Sequence, residues 1–328
     1  MKHFVTGGTG SFGSYLVNEI LKYGPKRIII YSRDEDKQYS MQHDLQKYNS
    51  SLRFVIGDVR DKESILKSSR EGIDILIHAA AMKQIPSTEY NILEAVKTNV
   101  LGAQNVVDAC IINGIKKALL ISTDKAVEPV NTMGITKALQ ERIFTLANKR
   151  GKEKSKFSSV RYGNLVASRG SVIPLFVKQI KDGGPVTLTH NEMTRFIFTL
   201  EEAINLVFNA LSTMVGGEVF VPKTRPLKVI DLAKVLIDEL KPKNKRIVEI
   251  GIRPGEKLHE TLISPMESLK TVEKKMHYVV LPQIELKKIG HTYKVPTYKK
   301  EVFRYSSDKG PFLTKAEIRN ILKKERIL

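Results

Sequence analysis

A run of reactive side chains, residues 122 to 137, follows a short apolar segment. It places the hydroxyl of Thr123, the carboxylate of Asp124 and the ammonium of Lys125 side by side, with Lys137 further along the chain. A carboxylic acid beside an amine can give a proton to one atom of a substrate and take one from another. The alternative for Asp124 and Lys125 is an ion pair in a turn, worth under about 1 kcal/mol. We therefore expect the chemistry in this run.

The elements around the run must hold it in place. The segment Lys117 to Ile121 is apolar and typical of a strand. From Gly134 onward apolar residues recur at helical spacing, and these are Ile135, Ala138, Leu139, Ile143 and Leu146. The pattern predicts a strand, a loop and then a long buried helix. Met133 and Lys137 would lie one helical turn apart on the same face of that helix.

The amino terminus carries a glycine-rich turn. Lys2 to Thr6 is an apolar strand pattern, and the helix pattern that follows the turn has Leu16 and Ile20 on one face. Glycines at this spacing allow a tight turn and let the backbone approach a pyrophosphate, whose charge the helix amino terminus favours. The residues expected to bind a dinucleotide here are Gly7, Thr9, Gly10, Ser11, Phe12 and Gly13.

Together these runs resemble the extended short-chain dehydrogenase/reductases, which have a Ser or Thr after the fifth strand and a Tyr-x-x-x-Lys pair on the next helix. Met133 stands at the Tyr position. The run Ser-Thr-Asp-Lys-Ala from Ser122, followed by Pro-x-Asn-x-Met-Gly-x-x-Lys from Pro129, resembles more narrowly the UDP-N-acetylglucosamine 4,6-dehydratases of capsule and O-antigen biosynthesis. A subset of that group carries Met at this position. The resemblance is strong over residues 2 to 275 and weak beyond.

The alternation of strand and helix patterns predicts an α/β fold with a Rossmann-type, doubly wound parallel sheet. The resemblance adds a smaller carboxy-terminal substrate-binding domain. We expect residues 1–164 to form an NADP-binding domain, to which a segment at about 196–225 returns. Residues 165–275 would then form the UDP-sugar domain and residues 276–328 a carboxy-terminal extension that ends in an amphipathic helix.

The end of the second strand bears on the choice of cofactor. This strand, Arg27 to Tyr31, is followed by Ser32 and Arg33, where an NAD enzyme usually has an acid that binds the ribose 2'-hydroxyl. A hydroxyl and a guanidinium suit a 2'-phosphate, so NADP is the expected cofactor. Asp34, one place later, keeps NAD as the alternative.

The resemblance implies further cofactor contacts. The acid at Asp58 would hold the adenine amino group, and the backbone of Val59 would support the ring. Small side chains after the fourth strand leave room for the nicotinamide ribose, whose hydroxyls Lys137 would hold. The remaining residues expected around the cofactor are Ala79, Ala80, Ala81, Lys83 and Asn99. His78 is expected to be a structural hydrogen-bonding residue.

The resemblance also implies a substrate site in the carboxy-terminal half. Asn164 would contact the sugar diphosphate, Arg195 and Arg253 would pair with it, and Glu256 would bind a nucleoside ribose. For the two arginines, ordinary surface cations are the alternative. The other expected substrate contacts are Lys83, Arg169 and Val172.

The resemblance implies a dehydratase mechanism in which Asp124 is the acid for the C6 hydroxyl and Lys125 takes part in proton transfer at C5. We expect a lowered pKa for Lys125 beside a cationic nicotinamide and Lys137. A Met133 thioether cannot accept the C4 hydroxyl proton, so Thr123, a water or the Asp124–Lys125 pair must do so. The predicted product is a UDP-4-keto-6-deoxy sugar, with C5 inverted. The alternatives are a UDP-sugar 4-epimerase and a non-catalytic nucleotide-sensing protein.

Composition narrows the class of protein further. A chain of 328 residues, 41% of them hydrophobic, can bury a large core. The formal charge of +19 is spread along the chain and accompanies no recognised nucleic-acid module, so we expect no nucleic-acid partner. Solvated lysine faces and attraction for anionic nucleotide-sugars account for the charge.

The remaining expectations concern compartment and assembly. The single cysteine, Cys110, lies in an apolar helical pattern and reads as a buried structural thiol in a reducing compartment. No apolar run is long enough for a membrane span, and the first strand leaves no room for a signal peptide. We therefore expect a cytoplasmic homo-oligomer, either a dimer or a hexamer, with no metal site.

Overall fold

Strands and helices alternate along most of the chain. The computed structural model describes residues 1–151, 154–166, 168, 170–293 and 301–328. The strands are β1 (Lys2–Thr6), β2 (Arg27–Ser32), β3 (Leu52–Ile56), β4 (Ile75–His78), β5 (Lys117–Thr123), β6 (Lys156–Tyr162), β7 (Asn164–Leu165), β8 (Val186–Leu188), β9 (Thr194–Phe198), β10 (Val219–Pro222), β11 (Pro226–Lys228), β12 (Ile247–Glu249), β13 (Thr261–Ile263), β14 (Thr271–Glu273), β15 (His277–Val280) and β16 (Tyr305–Ser306).

Helices cover both faces of the main sheet and fill the second half of the molecule. They are α1 (Ser11–Leu21), α2 (Glu35–Asp44), α3 (Lys62–Ser68), α4 (Ile85–Tyr90), α5 (Ile92–Ala95), α6 (Gly102–Asn113), α7 (Thr132–Arg150), α8 (Val172–Lys181), α9 (Leu200–Thr213), α10 (Val229–Leu240), α11 (Pro265–Ser268), α12 (Lys287–Thr292) and α13 (Lys315–Lys324). A π-helical segment, Val96–Leu101, joins α5 to α6.

The main sheet has nine strands in the order β14-β15-β10-β6-β5-β4-β1-β2-β3. Neighbouring strands from β10 to β3 are parallel, whereas β15 is antiparallel to both β10 and β14. The chain moves outward from β1 in one direction through β2 and β3, and in the other through β4, β5 and β6. This reversal between β1 and β4 opens a crevice at the carboxyl ends of the strands. The predicted doubly wound sheet is confirmed.

The central strands are buried on both faces, which explains their nearly unbroken apolar runs. Ile28 and Ile30 point into one core layer together with residues of α1 and α9, whereas Ile29 points into the other with residues of α6 and α7. All three are fully buried. Successive side chains of a strand face opposite sides of the sheet, so one apolar run supplies both layers.

The second half of the chain builds a smaller layer beside the sheet. It contains a three-stranded sheet of β11, β9 and β7, the β12–β8 pair and a separate apolar core that α8, α10 and α13 share. The chain returns to the main sheet through α9 and β10, which pairs with β6. The boundaries at residues 164 and 275 stay a prediction.

The helix α7 departs from expectation. The apolar stripe that the sequence suggested would be buried is largely at the surface, with Ile135, Leu139 and Leu146 exposed by 49%, 46% and 51%. That expectation is wrong because the opposite face, which carries Met133 and Phe144, packs against the sheet. Helical spacing was correct, but it did not identify the inward face.

Two other helical regions lie near the ends of the sheet and of the chain. The first is interrupted at Asn91, where the backbone leaves helical geometry between α4 and α5. The terminal helix is confirmed as α13, which Thr314 and Glu317 begin with a capping box. No helix in the described part of the chain is long and apolar enough to cross a bilayer.

Candidate active site

A cavity of about 670 Å³ lies over the carboxyl ends of β1, β4, β5 and β6 and extends to the smaller layer. Most residues expected from the sequence line it: Gly7, Thr9, Gly10, Ser11, Phe12, Gly13, Ser32, Arg33, Asp58, Val59, Ala79, Ala80, Ala81, Lys83, Thr123, Lys125, Met133, Lys137, Asn164, Val172, Arg195, Arg253 and Glu256. Asp124 and Asn99 do not line this cavity. Arg169 lies outside the described residues.

The glycine turn is shaped for close approach of a bound group. Gly7 has a φ of +68°, and a β-carbon there would lie 2.8 Å from the backbone nitrogen of Ala80. A β-carbon at Gly13 would lie 2.3 Å from the Gly7 carbonyl oxygen. No side chain caps the start of α1, so its first N–H groups remain available to an anion. These features fit the diphosphate of a dinucleotide.

The end of β2 forms the rim of the cavity. The Ser32 hydroxyl accepts hydrogen bonds from Thr9 and from the Gln38 amide, at 3.1 and 3.0 Å. The half-exposed guanidinium of Arg33 lies 3.4 Å from an Asp58 carboxylate oxygen. Asp34 is engaged elsewhere, because it caps α2 and pairs with the Lys37 ammonium. Arg33 and Lys37 thus place two cations on this rim, each paired with a carboxylate.

Thr123, Asp124 and Lys125 lie where β5 ends and a single 3-10 turn begins. The Thr123 hydroxyl donates to Asp124 Oδ1 at 2.8 Å. Asp124 is fully buried, and its Oδ2 has no hydrogen-bond partner among the described residues. Gly134 permits α7 to pack on this turn, since a β-carbon there would lie 2.3 Å from the Lys125 carbonyl oxygen.

Lys125 is held between two carboxylates. Its Nζ lies 3.0 Å from Asp124 Oδ1 and 3.0 Å from Glu260 Oε1. Burial lowers the pKa of Lys125, but the two negative charges outweigh burial and raise it above its ordinary value. The expectation of a lowered pKa is therefore wrong for this structure. The reason is the negative charge of Glu260, whose one signal in the sequence is a charged residue directly before the apolar strand β13.

Lys137 ends a buried hydrogen-bond chain. Its Nζ donates to the Ile121 carbonyl at 2.6 Å and to the Gln140 side chain. Gln140 in turn contacts His78 Nε2 at 3.0 Å, and His78 Nδ1 contacts the Thr6 hydroxyl at 2.7 Å. Burial lowers the pKa of Lys137 to about 8, and that of His78 to about 3. The structural role expected for His78 is confirmed.

Met133 and Asn99 support the same region in different ways. Met133 is 4% exposed and lines the cavity one turn before Lys137. Asn99 makes three hydrogen bonds, two with the backbone of Met82 and one to the Thr136 hydroxyl at 3.0 Å. It therefore joins the loop after β4 to α7, and its expected contact with the cofactor stays a prediction.

The substrate side of the cavity rests on the loop from Arg253 to Glu256. Arg195 donates four hydrogen bonds within the protein, to the carbonyls of residues 194, 257 and 258 and to Glu256 at 3.5 Å. These bonds hold the loop in place, and a phosphate contact of Arg195 stays a prediction. Two buried oxygens, Asn164 Oδ1 and Glu256 Oε2, have no partner among the described residues. Such atoms suit a polar ligand.

A parallel sheet with a glycine turn after β1, a hydroxyl residue after β5 and a lysine on the next helix defines an extended short-chain dehydrogenase/reductase. The model of a protein family with the description "polysaccharide biosynthesis protein" matches residues 4–282 of this chain. The chain belongs to this family.

Three similar proteins narrow the comparison. The UDP-N-acetylglucosamine 4,6-dehydratase (inverting) of Campylobacter jejuni is 44% identical over 94% of this chain and 92% of its own. A UDP-glucose 4-epimerase of Rickettsia conorii is 44% identical over 84% of this chain and 81% of its own. The X-ray structure of Pen from Bacillus thuringiensis superposes with a TM-score of 0.92 at 35% identity, covering 100% of this chain and 98% of that one.

Proposed function

We propose that this protein is a UDP-N-acetylglucosamine 4,6-dehydratase that inverts C5 and forms a UDP-4-keto-6-deoxy sugar for surface polysaccharide synthesis. The observation that carries the proposal is the pairing of Asp124 and Lys125 at 3.0 Å. Lys125 lines the cavity with Thr123 and Lys137, and the fully buried Asp124 is linked to the cavity through its hydrogen bond from the Thr123 hydroxyl. An epimerase needs oxidation at C4 and its reversal, with no separate acid and base for C6 and C5. The Campylobacter relative carries the same activity in its name.

Thr123, Asp124 and Lys125 each carry out a different proton transfer. A bound nicotinamide cofactor supplies the hydride acceptor at C4 and later the donor at C6. Thr123 takes the C4 hydroxyl proton and passes its own to Asp124, whose Oδ1 already accepts from that hydroxyl at 2.8 Å. Asp124 then protonates the departing C6 oxygen, and Lys125 removes the C5 proton. Delivery of a solvent-exchanged proton to the opposite face of C5 inverts that carbon.

The product formed in deuterated water tests the proposal. The protein is incubated with UDP-N-acetylglucosamine, and the product is analysed by NMR. We expect a new C6 methyl group and deuterium at C5. A C4 epimer without exchange at C5 would instead support the UDP-sugar 4-epimerase, the second candidate that the Rickettsia relative suggests. An unchanged substrate with tight binding would support the nucleotide-sensing protein.

We infer that the cofactor is NADP. Arg33 and Lys37 line the adenosine end of the cavity, and the carboxylate of Asp34 is occupied by the α2 cap and by Lys37. Titration with NADP and NAD tests this inference. Arg33→Ala should weaken NADP binding by about 1.5–3 kcal/mol and leave NAD binding nearly unchanged. Arg70→Ala, at an exposed position in the turn after α3, is the matched control. If the unaltered protein bound NAD more tightly than NADP, the inference that the cofactor is NADP would be contradicted.

We also infer a homo-oligomer. The helix α7 packs on α5 and on the π-helical segment that follows it, and these two segments carry further exposed apolar residues, which are Ile92, Leu93 and Leu101. A patch of this kind on a soluble protein marks an interaction surface. Closed two-fold assembly would bury the same patch on both copies.

A further inference from the structure

Glu260 is a buried acid for which the proposed mechanism has no role. It is 1% exposed, directly precedes β13 and lines the cavity. Its Oε1 lies 3.0 Å from Lys125 Nζ, whereas its Oε2 has no hydrogen-bond partner within the described ranges. A buried carboxylate oxygen without a donor is costly as an anion. Glu260 Oε2 is therefore an atom that can carry a proton.

The carboxy-terminal segment fixes the position of Glu260. The Glu260 N–H donates to Ser307 Oγ at 2.8 Å, and the Ser307 N–H donates to the Glu260 carbonyl at 2.8 Å. Ser307 Oγ also bonds with the Thr194 hydroxyl at 2.8 Å, and Ser306 Oγ donates to the Glu260 carbonyl. Residues 306–307 therefore hold the backbone of Glu260 from a distant part of the chain.

Lys125 must lose a proton before it can act as a base, and Glu260 is placed to accept that proton. A lysine removes a proton from carbon only as the neutral amine, yet Lys125 sits between two carboxylates that favour its ammonium form. The other charged groups near this cluster are Arg195 on β9 and Lys257 in the loop before β13. A buried ammonium–carboxylate pair can convert to amine and carboxylic acid without exchanging a proton with solvent, and burial favours the uncharged form.

We propose that Glu260 is a positioning residue that holds Lys125 and accepts its proton before Lys125 acts on the sugar. One Nζ–H bond of Lys125 breaks and one O–H bond of Glu260 forms, so the pair stays neutral overall. Lys125 then takes the C5 proton, gives up a solvent-exchanged proton when C5 is reprotonated, and recovers its own proton from Glu260. The proposal rests on the proposed dehydratase function. It also assigns residues 306–307 of the carboxy-terminal extension to the active site.

The pH dependence of Glu260→Gln tests the proposal. The variant keeps the shape of the side chain but cannot accept the proton, so Lys125 must lose it to solvent. At neutral pH, C5 deuterium exchange should slow by roughly 10- to 100-fold. The ratio of variant to unaltered rate should then rise with pH, by about tenfold per unit. Reduction of the cofactor in the first half-reaction should change by less than about 2-fold, since that step does not use Lys125.

Two further variants separate this role from a purely structural one. Ser307→Ala should give the same direction of pH dependence with a smaller loss, because the carboxylate remains but is held less firmly. Glu249→Gln, at an exposed position on β12, should match the unaltered protein. A Glu260→Gln rate that equals the unaltered rate, or one reduced equally at every pH, would overturn the proposal. If the unaltered protein forms no 6-deoxy product, the dehydratase function itself fails.

Discussion

At the scale of single residues, Asp124 can transfer a proton to the substrate, whereas Met133 cannot. Asp124→Asn keeps shape and hydrogen bonding but removes the transferable proton, so elimination should slow by roughly 100-fold or more. Met133→Ala should slow it much less, because a thioether contributes packing and exclusion of water. The measurement is single-turnover formation of the 6-deoxy product.

Binding is the control for both substitutions. Titration with UDP should give nearly unchanged affinity, since Arg253 and Glu256 lie on a different loop from Asp124. A severe loss with Met133→Ala and a mild one with Asp124→Asn, at unchanged fold and binding, would place the proton chemistry elsewhere.

Residue types and spacing predicted a site at Thr123, Asp124, Lys125 and Lys137 because these residues lie in one continuous run. They could not identify Glu260, since its contact with Lys125 joins segments far apart in the chain. Nor could they predict the partners of Arg195, whose guanidinium donates hydrogen bonds to the backbone carbonyls of residues 257 and 258. Motif reasoning finds charged residues but not their partners.

At the scale of elements, the start of α7 is joined to the loop that carries Arg253 and Glu256. Asn131 caps α7 through the Gly134 N–H at 2.7 Å, and its amide donates to the Gly255 carbonyl at 2.6 Å. Asn131→Ala should destabilise the fold by about 1 kcal/mol, the usual cost of a lost cap. It should also raise KM for the UDP-sugar, because Gly255 lies between Arg253 and Glu256.

Thr314→Ala offers a matched comparison for that prediction. Thr314 caps α13 by the same kind of hydrogen bond, on a helix that packs in the smaller layer. Its loss should lower the unfolding free energy similarly in denaturant titrations and leave KM unchanged. Equal effects of both substitutions on KM would contradict a specific link between Asn131 and the loop.

The hydrogen-bond chain between β1, β4 and α7 should make stability depend on pH. Burial lowers the pKa of His78 to about 3 in the folded protein, against about 6.5 when unfolded. The unfolded chain thus binds more protons between these values, and stability is lost as pH falls below about 6.5. His78→Gln cannot protonate, so from pH 7 to 5 its unfolding free energy should fall by roughly 2 kcal/mol less than that of the unaltered protein.

Urea unfolding at several pH values measures this difference. The two proteins differ only at residue 78, so the contributions of the other buried groups to the pH dependence cancel in the comparison. One of these groups is His3, whose pKa is also lowered by burial. A parallel loss of stability in both proteins would show that His78 is not the group responsible.

At the scale of the whole molecule, the parts that local patterns determine were predictable. The glycine turn, the parallel strands and the terminal helix follow from short-range spacing, because each pattern lies within one strand–helix unit. The join between the carboxy-terminal segment and the active site was not predictable, since it depends on β13 pairing with β16 across the chain. The expected cytoplasmic location stays a prediction.

The exposed stripe of α7 gives the last prediction, because an apolar face that does not pack inside its own subunit requires another partner. A second copy of the chain presents the same stripe, so an isologous interface would cover both. Leu139→Glu places a charge in that interface and should convert the oligomer to monomers in sedimentation equilibrium. Tyr39→Glu is the control, since Tyr39 is 74% exposed on α2, away from α7. A monomer for the unaltered protein at micromolar concentration, or a Leu139→Glu oligomer of unchanged size, would rule out this interface.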